Sequence, residues 1–174
     1  MTEPEVAGLP EVLRPLGFLI GTWRGEGVGA VPEGRGPDFP YAEEMTFTWD
    51  GASPWLRYHT VATDPVDGDW LHSESGWWRA QLPAEDGTIH LDVVLTHPTG
   101  VVEVLIGQVV MDQVGEHIDL ISDVVARTAT APAVTADKRL YALRGPKLLY
   151  AIDLAAGDTT LSPHLAAALD RGDD

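Results

Sequence analysis

Short runs of alternating apolar and polar residues, each ending in a turn cluster, restrict this chain more than any other feature. Side chains on a strand point to opposite faces with period two, so such a run reads as a strand with one face buried. Residues 41–50 (YAEEMTFTWD) put Met45, Phe47 and Trp49 on one side. Residues 88–96 (TIHLDVVLT) do the same with Ile89, Leu91, Val93 and Leu95. Turn clusters follow: Asp50-Gly51, the DPVDGD of 64–69, the PTG of 98–100 and the RGPK of 144–147. The same pattern gives strands at 22–30, 41–50, 55–63, 70–82, 88–96, 101–111, 114–126, 135–143 and 148–155, with a break near 112–115. Strands spaced about 8–14 residues apart and joined by hairpin turns indicate an antiparallel sandwich or barrel, not a βαβ fold. The uninterrupted meander favours an all-β, up-and-down barrel of about ten strands, because closure removes the edges of so long a sheet.

The two ends of the chain are less regular. Residues 4–16 (PEVAGLPEVLRPL) predict a short helical segment packed on the barrel through Val12, Leu13 and Leu16. Pro10 and Pro15 keep it short, and Gly17 is expected to stop it. Residues 161–171 (LSPHLAAALDR) are ambiguous: alanine favours a helix. Period two also works, with His164, Ala166 and Ala168 on one face and Leu165, Ala167 and Leu169 on the other. A barrel must pair its last strand with its first, so a tenth, closing strand is expected here. No linker or repeat divides the 174 residues, and one domain over 1–174 is expected, with 1–16 as its helical lead-in.

Composition removes several functions. The chain carries 27 acidic against 11 basic residues, a net charge of −16, so nucleic acid and anionic membranes are poor partners. It has no cysteine, which excludes disulfides, thiolate metal sites and cysteine nucleophiles. No run approaches the roughly 18 apolar residues of a membrane span, and no signal-peptide pattern opens the chain, so a cytoplasmic location is expected. There is no G-x-S-x-G elbow and no EF-hand loop. Glu43-Glu44 reads as a solvated strand edge.

Three stretches could carry chemistry. Gly21-Thr22-Trp23-Arg24-Gly25-Glu26-Gly27 reads G-x-W-x-G-x-G, with Trp23, Gly25 and Gly27 on one strand face, as at a bend plugged by an indole. In His72-Ser73-Glu74-Ser75-Gly76-Trp77-Trp78-Arg79, alternation puts His72, Glu74, Gly76 and Trp78 together, either as cavity lining or at a rim satisfied by water. Of six histidines, His90, His97 and His117 are expected to be exposed, and the direction of His59 is open. His164 stands among alanines that leave room for a flat, bulky group, though a single histidine can equally be structural.

Together the three stretches resemble the nitrobindin family, haem-binding β-barrels related in architecture to fatty-acid-binding proteins and lipocalins. The opening Leu16–Gly27 block, the central H-x-E-x-G segment from His72, and the C-terminal block around His164 match in order and extend over nearly the whole chain. The resemblance implies one ferric haem b per chain, with His164 as proximal axial ligand of the iron and His72 on the distal side, the two forming the catalytic pair. It implies peroxynitrite isomerisation to nitrate, with nitric oxide as a second small-molecule partner. Lys138 matches a late strand position where a contact to a haem propionate and a solvated lysine are both open readings. A non-enzymatic haem or apolar-ligand carrier, and a nitric oxide sensor, stay open on the same barrel, as does a homodimer. Residues 156–162 (AGDTTLS) are more polar than the resemblance leads one to expect, and they directly precede the histidine.

Overall fold

The computed structural model describes residues 7–112 and 115–172. Ten antiparallel strands follow one another along the chain: β1 (Gly21–Gly29), β2 (Phe39–Thr48), β3 (Leu56–Thr63), β4 (Trp70–Ala80), β5 (Ile89–Thr96), β6 (Val101–Asp112), β7 (Gly115–Arg127), β8 (Val134–Arg144), β9 (Lys147–Ala156) and β10 (Ser162–Arg171). Each pairs with its sequence neighbours, and β1 pairs with β10 through Trp23↔Arg171 and Gly27↔Ala167, closing the barrel. The expected tenth strand therefore forms, and the helical propensity of its alanines loses to the ladder bonds on both sides. Alternation holds within the strands: along β3, Leu56, Tyr58, Thr60 and Ala62 are buried while Arg57 and His59 face out. Part of the 112–115 break lies outside the described residues.

One end of the barrel is plugged. A 3-10 helix, Glu11–Leu19, buries Leu13, Leu16, Phe18 and Leu19. It runs past Gly17, contrary to the expected stop, because Phe18 and Leu19 pack into the barrel and the Ile20 N–H reaches back to the Gly17 carbonyl. Residues 4–6 of the expected segment lie outside the described residues. Trp23 is fully buried beneath this helix; its indole N–H donates to the Leu19 carbonyl at 2.8 Å, and the Arg171 guanidinium lies 4.3 Å from the ring centroid. Further in, Trp78 meets Phe47 and Tyr141 edge-on at 5.3 and 5.1 Å, geometries favoured by aromatic quadrupoles. Gly27 is glycine for a steric reason: a Cβ there would lie 2.3 Å from the Tyr41 ring and 2.7 Å from the Ala166 carbonyl oxygen. With the helix end filled by aromatic rings, the remaining space lies at the opposite end. There the chain turns between β3 and β4, β5 and β6, β7 and β8, and β9 and β10.

Candidate haem pocket

His164 reaches the barrel interior through a break in the strand pattern. Along β10, Leu165, Ala167 and Leu169 pack toward the core, so strict alternation would turn His164 outward with Ala166 and Ala168. The β9–β10 register shifts between Pro163 and Leu165: Pro163 faces Asp153, Leu165 faces Ile152, and His164 is the extra residue. A β-bulge re-aims a side chain in this way. His164 consequently lines the cavity beside Leu165, whereas Ala166 and Ala168 line an outer groove. The expectation that the alanine face makes room beside His164 is thus corrected.

Two bonds then fix the ring. The Ala30 N–H donates to the His164 carbonyl at 2.7 Å, and His164 Nδ1 lies 2.8 Å from the Ala30 carbonyl oxygen. A carbonyl can only accept, so Nδ1 carries the proton and Nε2 keeps a free lone pair. Burial pushes the His164 pKa down, against the Ala30 bond, which raises it; His72 and Arg139 lower it further. Neutral imidazole with one nitrogen held and the other free is the form in which histidine binds a metal.

The polar 156–162 segment does not displace this ring. Thr160 N–H donates to Glu33 Oε1, and Glu33 N–H donates to Ser162 Oγ. Arg35 pairs with Asp158, and Gly157 N–H bonds the Ala133 carbonyl. The polar groups tie the β9–β10 loop to the β1–β2 and β7–β8 loops.

The cavity measures about 190 Å³. Apolar walls come from Val101, Pro132, Val134, Ile152, Leu154 and Leu165. Charge gathers on the β4, β6 and β8 side. Glu74, Glu103, Asp137 and Arg139 are all buried. Arg139 donates to both Glu74 oxygens at 2.5 and 3.1 Å, to Glu103 at 3.0 Å and to Asp137 at 2.6 Å. Burial would raise the Glu74 pKa, but Arg139 and His72 hold it well below the usual carboxylate range. Burial and neighbouring Glu103 push Asp137 up to about 6, although Arg139 opposes them. His72, one-third exposed, stands at the rim with Nε2 3.6 Å from Glu74. The structure thus brings His72 and His164 to one cavity.

Other expected residues lie elsewhere. Lys138 sits between inward-facing Asp137 and Arg139 and therefore points out; it lines an outer groove with Ile106 and Ile121, not the cavity. The His97 side chain, 8% exposed, lies 2.9 Å from Glu103 and lines the cavity, contrary to its expected exposure, because the turn after β5 folds it inward. His117 is buried as well, whereas His59 and His90 are exposed. Glu43 is no solvated edge: it shares the inward face with Met45 and accepts from Thr60 at 2.6 Å and Tyr150 at 2.5 Å. Arg139, Glu103 and Asp137 escaped sequence reasoning, although alternation with Val101, Leu105 and Tyr141 marks their inward direction. His97 offered no such signal.

Residues 12–171 match the THAP4-like, heme-binding beta-barrel domain. The chain belongs to this haem-binding β-barrel family. A protein named peroxynitrite isomerase from Parafrankia sp. is 46% identical over 91% of this chain and 79% of its own length. Another of that name from Frankia casuarinae is 44% identical over 99% and 92%. A ferric nitrobindin-like protein of Kineococcus radiotolerans is 39% identical over 98% and 99%. The crystal structure of Rv2717c from M. tuberculosis superposes with a TM-score of 0.82 at 32% identity, covering 95% of this chain and 99% of that one. The nitrobindin-like resemblance of the three motifs thus extends to the whole barrel. As a haem-binding barrel, the chain presents its cavity at the end away from the helix plug, and no helix among the described residues is long and apolar enough to cross a membrane.

Proposed function

We propose that this barrel binds one ferric haem b through His164 and isomerises peroxynitrite to nitrate, with nitric oxide as an alternative small ligand. The observation that carries the reading is the bulged His164, whose Nδ1 is engaged by Ala30 and whose Nε2 faces the cavity with its lone pair free. Relatives named peroxynitrite isomerase over nearly the full length support the reaction class.

The residues fit the group. Imidazole is an axial ligand of haem iron, and the apolar wall on the β8–β10 side suits a porphyrin face. The cavity of about 190 Å³ is smaller than the roughly 300–1,000 Å³ of small-molecule pockets, so it would have to widen to admit the group. When bound, haem would supply a Lewis-acidic iron and a macrocycle able to exchange electrons. The chain supplies the rest. His164 donates the Nε2 lone pair, and Ala30 holds the tautomer. The apolar wall of Val134, Ile152, Leu154 and Leu165 would exclude water from the bound group. His72 at the rim orients the incoming anion, with its Nε2 3.6 Å from the ionised Glu74. Arg139 spends four of its five N–H donors on Glu74, Glu103 and Asp137, so it acts mainly as the cation of the carboxylate wall.

Stopped-flow decay of peroxynitrite tests the reaction. The hemin-loaded protein should speed nitrate formation, and His72→Ala should slow it severalfold while leaving hemin stoichiometry at one. Decay no faster than with the apo protein would leave a haem carrier or nitric oxide sensor.

A further inference from the structure

The charged wall of the cavity has a composition that haem ligation by His164 does not use. Three buried carboxyl groups, Glu74, Glu103 and Asp137, face a single guanidinium, Arg139. The wall is therefore short of positive charge when the carboxyls are ionised, and unpaired buried charge is costly. Two oxygens there, Glu103 Oε1 and Asp137 Oδ1, are buried without a hydrogen-bond partner. Both residues line the cavity.

Against this wall stand two imidazoles. His72 Nε2 and His97 Nδ1 each lie 3.6 Å from Glu74 Oε2, and the three atoms lie within 4.8 Å of one another. Glu74 Oε1 is saturated by Arg139 and Tyr58. Among the described residues Oε2 accepts from Arg139 Nη2 at 3.1 Å and from no other donor within hydrogen-bond reach, so one lone pair remains toward the two rings. His97 Nε2 lies 2.9 Å from Glu103 Oε2. A carboxylate accepts there, so Nε2 carries the proton and Nδ1 is left free toward Glu74. A histidine whose far nitrogen is held by a carboxylate is the usual outer arrangement of a metal ligand.

The geometry points to a site for one divalent transition-metal ion of the zinc class, held by His72 Nε2, His97 Nδ1 and Glu74 Oε2 in the haem-free protein. Ligand atoms each about 2.0–2.2 Å from one zinc ion stand roughly 3.4 Å apart in a tetrahedron, close to the 3.6 Å found for both histidine–carboxylate pairs. The remaining closure falls on His72, the exposed member, which is free to move at the rim. The cavity leaves a fourth position open to water or a small anion. A dication also offsets the surplus negative charge that Arg139 alone does not balance. His164 has no part in the site.

Zinc titration of the haem-free protein by calorimetry, with cobalt(II) as a visible-absorption probe, tests this site. One equivalent should bind, and the cobalt complex should show the intense visible bands of a four- or five-coordinate ion. His97→Ala and His72→Ala should each weaken binding at least tenfold, with far-UV circular dichroism unchanged. His164→Ala should leave zinc affinity within twofold of wild type, which separates this site from the haem ligand. Absence of saturable binding, binding indifferent to both His72→Ala and His97→Ala, or binding lost in His164→Ala would each overturn the assignment. Because His72 is one-third exposed, its truncation tests the ligand set without disturbing the core.

Discussion

The ligand role proposed for His164 rests on one carbonyl: Ala30 accepts from Nδ1 and thereby leaves Nε2 bare. Elsewhere at this scale, function and stability meet in the carboxylate wall. Asp137 is pushed up to about 6, chiefly by burial, from an ordinary carboxyl value of 3.8. Between those two values the folded chain holds a proton on Asp137 that the unfolded chain releases, so this group's own contribution to stability grows as pH falls from about 6 toward 4. Asp137→Asn should lack that gain, and urea midpoints of the two proteins across the interval should converge on acidification; parallel pH curves would contradict the assignment. Arg139→Leu leaves three buried carboxylates without their cation and should cost on the order of 3–5 kcal/mol, read by urea unfolding. Gly27→Ala should cost about 1–3 kcal/mol in the same assay, because its Cβ strikes the Tyr41 ring and the Ala166 carbonyl.

The strands were legible because period two survives along almost every one. Met45, Phe47, Leu91, Val93 and Leu95 all point inward as alternation requires. Where the backbone leaves the ladder, alternation is lost, and β10 is the instructive case. The sequence places His164 on the alanine face; the bulge moves it to the opposite side, and Pro163, a residue that a paired strand tolerates at a bulge, is the signal that reading by period passed over. The resemblance pointed to His164, and the period grouped it with Ala166 and Ala168; the bulge separates it from them and turns it to the cavity. This yields a prediction at the scale of the element. Deleting Pro163 removes the extra residue, restores alternation and turns His164 outward. The variant should keep the far-UV spectrum of the barrel yet lose the Soret band on hemin addition. A retained Soret band would show that the bulge does not aim the ring. His97, Arg139 and Glu103 were missed for another reason: a buried charge is readable only with its partners, and these come from different strands.

At the scale of the whole molecule, the plugged helix end and the cavity end divide stability from function. The net charge of −16 acts on both. It repels anionic peroxynitrite, so the observed rate constant should rise as salt screens the field, from low ionic strength to about 0.15 M, where the Debye length is near 8 Å. A rate that falls with salt would reveal a local positive funnel that the committed Arg139 does not supply. The most direct test of the account is titration of the apo protein with hemin, wild type against His164→Ala. Wild type should saturate at one equivalent with a sharp Soret band, and His164→Ala should lose that band while the barrel's circular dichroism stays unchanged. An identical Soret spectrum in the two proteins would contradict the central claim.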